Sequence, residues 1–454
     1  MAKNGYLTAP LPSKKVPAGI PYILANETAE RFSFYGMRCI LVIFMTKYLV
    51  NSSGSLAPMS PEESKIYFHL FVASVYFMPL LGAIIADIWL GKYRTILWFS
   101  VIYCIGLLVL ALDITRLGLT TGLILIAIGS GVIKPCVSAN VGDQFGKTNQ
   151  HLMARVYGWF YFSINLGAFA SQLLVPVLLD RYGPRIAFGV PSAFMMLATI
   201  AFWLGRRKFV HIRPAGAGFI KEVFSGEGIR TLARLCIIYV FIAMFWALFD
   251  QIDSAWVLQA EKMNRNWLGH EWLSAQIVAV NPLMIMVLIP VFSFAIYPAI
   301  NKVFALTALR KISIGMFVMA SAFVVSALIE SRITAGAKPS IGWLVLAYLV
   351  LTSSEVMVSI TALEFSYTQA PKKMKSFVMA VFFLSITLGN AFTAIVNAFI
   401  RNEDGTSKLA GASYFWFFAL TMTITAVAFI FVAMGYRGKS YIQDETSEES
   451  TDRQ

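Results

Sequence analysis

Glu27, Glu30, Arg31, Tyr35 and Arg38 stand in one otherwise apolar stretch, and Glu27, Arg31, Tyr35 and Arg38 follow spacings of four, four and three. On a helix those spacings define one face, with Glu30 beside Arg31 and one turn from Glu27. Carboxylates held against a guanidinium can exchange protons; they can also form a buried ion-pair network that only fixes helix packing. Lys134, Asp250, Asp253, Glu355 and Glu364 are further ionisable residues within apolar runs. At bilayer depth each such group costs about 2.5 to 3.5 kcal/mol on insertion scales, so each marks a candidate site. Lys134 needs an anion, and Glu355 is the candidate partner, although Glu355 can equally hold a cationic group of a substrate. Asn165 and Asn281 can contact a substrate or bond between helices. His69 is the one histidine of four in an apolar run. Its ordinary pKa near 6.5 suits a proton-responsive role, and a histidine satisfied by helix neighbours fits as well. Tyr35, Tyr76, Trp246 and Trp256 are aromatic residues that can line a cavity.

Positioning these groups requires membrane-spanning helices. Of 454 residues, 58% are hydrophobic and 13% charged, about half the roughly 25% charged share of soluble domains. Apolar runs predict twelve transmembrane helices near 22–49, 65–90, 94–113, 118–140, 153–179, 185–205, 230–258, 272–299, 304–329, 341–367, 376–400 and 412–436. Polar residues weaken the signal in the first, fourth and tenth. The stretch 206–229, with Arg206-Arg207-Lys208, Pro214 and several glycines, divides the helices six and six. The expected organisation is an all-α membrane protein: a tail 1–21, a six-helix bundle 22–205, a linker 206–229, a second six-helix bundle 230–436 and an acidic tail 437–454. Lys and Arg number 37; 23 fall in the termini and the even-numbered connections, against 10 in the odd-numbered ones. The positive-inside bias therefore places both termini and the linker in the cytoplasm.

That bias accounts for most of the net charge of +13, and no basic block interleaved with aromatics suggests nucleic acid. Cys39, Cys104, Cys136 and Cys236 lie at irregular spacing within or beside apolar runs, unlike a disulfide framework or a zinc site. Glu27, Glu30 and Arg31 in the first apolar segment argue against a cleavable leader. No phosphate-binding loop, His-Glu-x-x-His pair or nucleophile elbow occurs, so neither nucleotide hydrolysis nor a hydrolase is expected.

The segment Glu27-Thr28-Ala29-Glu30-Arg31-Phe32-Ser33-Phe34-Tyr35-Gly36 closely resembles the ExxERFxYYG motif of the proton-coupled oligopeptide transporter (POT/PTR) family, with Phe34 replacing a common tyrosine. Ile133 to Ala139, Phe160 to Gly167, Phe245 to Gln251 and Leu363 to Pro371 resemble further family segments, so the likeness spans both halves. Gly82 to Arg94 resembles the loop motif of the wider major facilitator superfamily. The resemblance is greatest to the animal-type branch, although Ser331 to Ser340 leaves no room for the large extracellular domain of animal members. Ile252 and Asp253 depart from the pattern of the seventh helix, where a glutamine and a small residue are usual.

This resemblance implies a major facilitator fold in the cell membrane, alternating access between the bundles, and symport of di- and tripeptides with protons, with peptide-like drugs as further ligands. It implies no enzymatic activity and no cofactor beyond the proton as coupling ion. Glu27, Glu30 and Arg31 would couple proton to peptide, with His69 as an auxiliary proton site. Arg38 and Lys134 would meet the peptide carboxylate, while Glu355, Asn165 and Asn281 would meet its amino end. Tyr35, Tyr76 and Trp256 would line the pocket. Arg38 with Asp250, and Lys134 with Glu355, would form alternating gate pairs. An anion carrier on the same fold and a non-transporting sensor are the rival readings.

Overall fold

The computed structural model describes residues 6–212, 214, 226–369, 375–404 and 406–436. The expected tail 437–454, much of the expected linker, and Ala370 and Pro371 lie outside the described residues.

The first six helices are α1 (Ile20–Lys47), α2 (Pro61–Leu90), α3 (Lys92–Leu112), α4 (Arg116–Asp143), α5 (Met153–Tyr182) and α6 (Pro184–Leu204). Then come α7 (Gly226–Phe249, continued by a 3-10 turn Asp250–Asp253 and by Ala255–Glu261), α8 (Ser274–Asn301) and α9 (Ala308–Thr334). The last are α10 (Gly342–Gln369), α11 (Lys375–Ile400) and α12 (Ala412–Gly435). Among the described residues eleven helices are long and apolar enough to cross a membrane, including the fourth and tenth. α1 is not among them, because Glu27, Glu30, Arg31 and Arg38 interrupt its apolar sequence, yet it forms a continuous helix packed on α5 and α6. A small antiparallel hairpin follows α7, β1 (Asn266–Trp267) with β2 (His270–Glu271). Leu268 and Gly269 both take positive φ at its tip, as a two-residue turn of this kind requires.

Within the first bundle α1 packs on α5 and α6, and α3 and α2 on α4. Within the second, α9 packs on α10 and α12, and α7 on α11. Lys134 is placed by the close approach of α2 and α4. A Cβ on Gly131 would come 2.4 Å from the Val75 carbonyl oxygen, and one on Gly82 would come 2.5 Å from that of Val132. Small residues thus let the two backbones touch. Among the described residues a π-helical turn, Ile85–Leu90, ends α2, and two more, Phe292–Ile296 and Val356–Ile360, interrupt α8 and α10. The last begins immediately after Glu355.

The bundles meet along α2 with α11, α5 with α8, and α1 with α7. Thr387 donates to the Ala73 carbonyl at 3.1 Å, and Gln276 to that of Leu173 at 2.9 Å. At the end of the molecule remote from the described chain ends, Lys47 pairs with Glu261, and Arg401 lies 3.4 Å from Glu63. At the opposite end the tail ahead of α1 is packed rather than free. Leu7 bridges to Val210, and Ser13 and Lys15 bond to Thr148 and Asn149.

Candidate functional site

Between the bundles lies a cavity of about 180 Å³. Tyr35, Arg38, Tyr76, Tyr161, Asn165 and Gln172 line it from the first bundle, and Trp246, Phe249, Asp250, Asp253, Asn281, Ile285 and Glu355 from the second. Nine sequence-selected residues, Tyr35, Arg38, Tyr76, Asn165, Trp246, Asp250, Asp253, Asn281 and Glu355, therefore share one wall system, whereas Lys134 does not line it. Asn165 spends its amide donor on the Tyr161 carbonyl of its own helix at 2.9 Å, leaving its oxygen for other partners.

Arg38 is the junction of the bundles. Its Nη2 donates to Asp250 Oδ1 at 2.5 Å, and its Nε lies 2.9 Å from Asp253 Oδ2. The cause is local backbone: in a 3-10 turn residues three apart eclipse one another, so Asp250 and Asp253 present both carboxylates to one guanidinium. Asn390 on α11 donates to Asp250 Oδ2 at 2.6 Å and stands 2.7 Å from His69 Nδ1. His69 Nε2 completes the chain at 3.0 Å from Ser254 Oγ. This polar thread joins α1 and α2 to α7 and α11 in a layer that is almost fully buried.

The acidic motif of α1 forms a second cluster. Arg31 Nε lies 2.7 Å from Glu27 Oε1 and 3.2 Å from Glu30 Oε2, and Ser130 donates to Glu30 Oε1 at 3.4 Å. Lys134, one turn beyond Ser130, behaves differently. Its buried Nζ has no hydrogen-bond partner among the described residues and sits 3.8 Å from the centre of the Phe34 ring, with Tyr76 at 5.6 Å.

One expected pair is apart in this structure, and one expectation needs correction. Lys134 and Glu355 are not paired here; Glu355 Oε2 instead accepts from Asn281 Nδ2 at 2.8 Å. Nor does Trp256 line the cavity. It is fully buried against Tyr348 and Phe323, with ring centroids 5.0 and 5.7 Å away. Ten residues of helix carry it about 15 Å along the axis from Trp246, past the Arg38 layer, and Trp246 takes its place in the wall. Sequence reasoning also passed over Asn390, Tyr161 and Gln172. The signal available for Asn390 was an amide in the apolar run of α11, weaker than a charge because an amide is cheaper to bury.

Two six-helix bundles closing on a polar cavity, with ionisable groups from both halves, define a helical membrane protein of the major facilitator fold. The POT family model matches residues 93–226 and 219–417, and the chain belongs to that family. It is 35% identical over 376 residues to Peptide transporter family 1 of Drosophila melanogaster, covering 72% of this chain and 49% of that one. Solute carrier family 15 member 2 of Homo sapiens is 34% identical over 403 residues, 77% of this chain and 54% of that protein. The chain thus spans about half the length of these animal relatives. The crystal structure of the POT family transporter PepTSo superposes with a TM-score of 0.85 at 35% identity, covering 93% of this chain and 98% of that one.

Proposed function

We propose that the protein is a proton-coupled symporter that imports di- and tripeptides by alternating access, without a cofactor and without covalent chemistry. The observation that carries this reading is the cavity itself. Its wall holds a carboxylate, Glu355, bonded by one amide, and a buried ammonium, Lys134, lies outside that wall, 5.6 Å from the ring of Tyr76, which lines it. A zwitterion needs opposite charges at its two ends. Lys134 meets the peptide carboxylate and Glu355 its ammonium, with Asn281 and Asn165 beside it. Trp246 Nε1 and Gln172 Oε1, both buried without partners, are a donor and an acceptor suited to a peptide backbone. An anion carrier has no use for Glu355 in this wall.

Arg38 with Asp250 acts as the gate of the sealed end, and Lys134 with Glu355 as its alternate when the carrier is empty. The α1 cluster Glu27, Glu30 and Arg31 takes and releases the coupling proton, and His69 relays charge within the sealed layer. The protein resides in the cell membrane with both termini cytoplasmic, as the basic-residue bias indicates; the structure is then closed to the outside. The boundaries 22–205 and 230–436 delimit the two moving bundles, joined by the linker 206–229.

The test is uptake of a labelled dipeptide into proteoliposomes. One pH unit supplies about 1.4 kcal/mol, or about tenfold accumulation for one proton per neutral peptide, and 100 mV adds about 2.3 kcal/mol per charge. Accumulation above the bath concentration is expected with gradients and not after both are collapsed. Accumulation that survives their collapse would refute coupling.

A further inference from the structure

The Arg38 layer contains one cation and two carboxylates, so it carries one more negative charge than positive. Only Asp250 meets Arg38 with hydrogen-bond geometry; the Arg38 Nε to Asp253 contact is close at 2.9 Å but misaligned, and Nε has no hydrogen-bond partner. Asp253 is 2% exposed, and its Oδ1 is buried with no hydrogen-bond partner among the described residues. The other titratable groups around it are Tyr35 on α1, Cys39 on α1 and Tyr348 on α10, which are uncharged near neutral pH, and the anionic Asp250. His69 is committed to Asn390 and Ser254. A buried carboxylate oxygen left unmatched is costly, and Asp253 lies in the cavity wall beside Trp246, Phe249 and Ile285.

We propose that Asp253 forms a subsite for the cationic side chain of a transported peptide, giving this carrier a preference for lysine- or arginine-containing dipeptides. The inference rests on the peptide-transport reading above. The alkyl stem of such a side chain packs on Trp246, Phe249 and Ile285, while its ammonium or guanidinium supplies the donor that Asp253 Oδ1 lacks. The surplus charge of the layer is then neutralised by cargo, and no residue of the wall needs to change its charge. The ends of the peptide remain with Lys134 and Glu355, so the subsite reads the side chain alone.

The test uses the full-length protein in proteoliposomes and competition against labelled Ala-Ala. Unlabelled Ala-Lys is compared with Ala-norleucine, which has the same stem and no charge, and with Ala-Glu. The unmodified protein is expected to favour Ala-Lys over Ala-norleucine by about tenfold, the size of one charge-assisted hydrogen bond, and to reject Ala-Glu. In Asp253→Asn the ratio of the two affinities should collapse to about one, whatever the variant does to the rate. If the unmodified protein takes up Ala-Ala but does not distinguish Ala-Lys from Ala-norleucine, the subsite is refuted and peptide transport stands. Should Asp253→Asn keep the ratio while moving the pH profile of Ala-Ala accumulation, Asp253 binds a proton and the proposal falls. Absence of Ala-Ala uptake altogether would instead defeat the peptide-transport reading. The comparison of competitors on the unmodified protein decides the matter even if the variant fails to fold.

Discussion

Arg38 and Lys134 are buried cations of the same bundle, both near Tyr76, and they have opposite surroundings. Arg38 has carboxylates at 2.5 and 2.9 Å from the other bundle. Lys134 has none, and its ammonium rests on the face of Phe34. On the proposed function, the ion-paired cation seals the bundles and the other takes an anion. A cation–π contact is worth about 0.5 to 2 kcal/mol, well short of what a buried ammonium gains from a carboxylate. The two cations thus differ in pairing, although residue type alone gave both the same role.

This contrast predicts unequal responses to neutralisation. Arg38→Gln leaves Asp250 and Asp253 buried without a cation, a loss of about 3 to 5 kcal/mol, so the melting temperature in detergent should fall steeply. Lys134→Gln removes a charge that has no ion pair or hydrogen bond among the described residues, so the melting temperature should fall far less than in Arg38→Gln while dipeptide affinity drops about ten- to a hundredfold. Equal destabilisation by the two substitutions would erase the distinction.

Glu355→Gln sharpens the same comparison from the anionic side. It keeps the Asn281 contact in hydrogen-bonding form but loses the charge, so affinity for a free dipeptide should fall about tenfold or more, with melting nearly unchanged. An N-acetylated dipeptide should bind poorly to the unmodified protein and lose little more in the variant. The smallest effect is expected at Lys47, whose side chain is 49% exposed in its pair with Glu261. Lys47→Gln should change stability by about 1 kcal/mol or less, measured by the same melting assay; a loss comparable to Arg38→Gln would move the seal outward.

The helices were legible because each apolar run is long and bounded by charge, glycine or proline. α1 was legible for a different reason: the spacing of Glu27, Arg31, Tyr35 and Arg38 is helical even though its hydropathy is weak. The contacts of Arg31 with Glu27 and Glu30, and of Arg38 with Asp250, follow from the cost of burying charge. Trp256 was misplaced because the 3-10 turn at Asp250–Asp253 and the depth along α7 are invisible to residue type. The same turn explains why Asp253, an unexplained departure in sequence, joins Asp250 on Arg38. Lys134 and Glu355, which residue type alone would pair, are apart in this structure, with Glu355 accepting from Asn281 instead. Asn390 escaped notice because a single amide gives little signal, yet it connects His69 to Asp250.

The account stands most directly on the claim that Lys134 and Glu355 read the two ends of a zwitterion. Competition by Ala-Ala, N-acetyl-Ala-Ala and Ala-Ala-amide for uptake into proteoliposomes, in the unmodified protein and in Lys134→Gln, measures it. The free dipeptide should compete best in the unmodified protein, with each blocked form weaker by about tenfold or more. Lys134→Gln should cancel the penalty for the amide and preserve the penalty for the acetyl group. If the amide competes as well as the free peptide in the unmodified protein, or if Lys134→Gln weakens all three ligands alike, Lys134 does not hold the carboxylate and the assignment of the two ends is wrong.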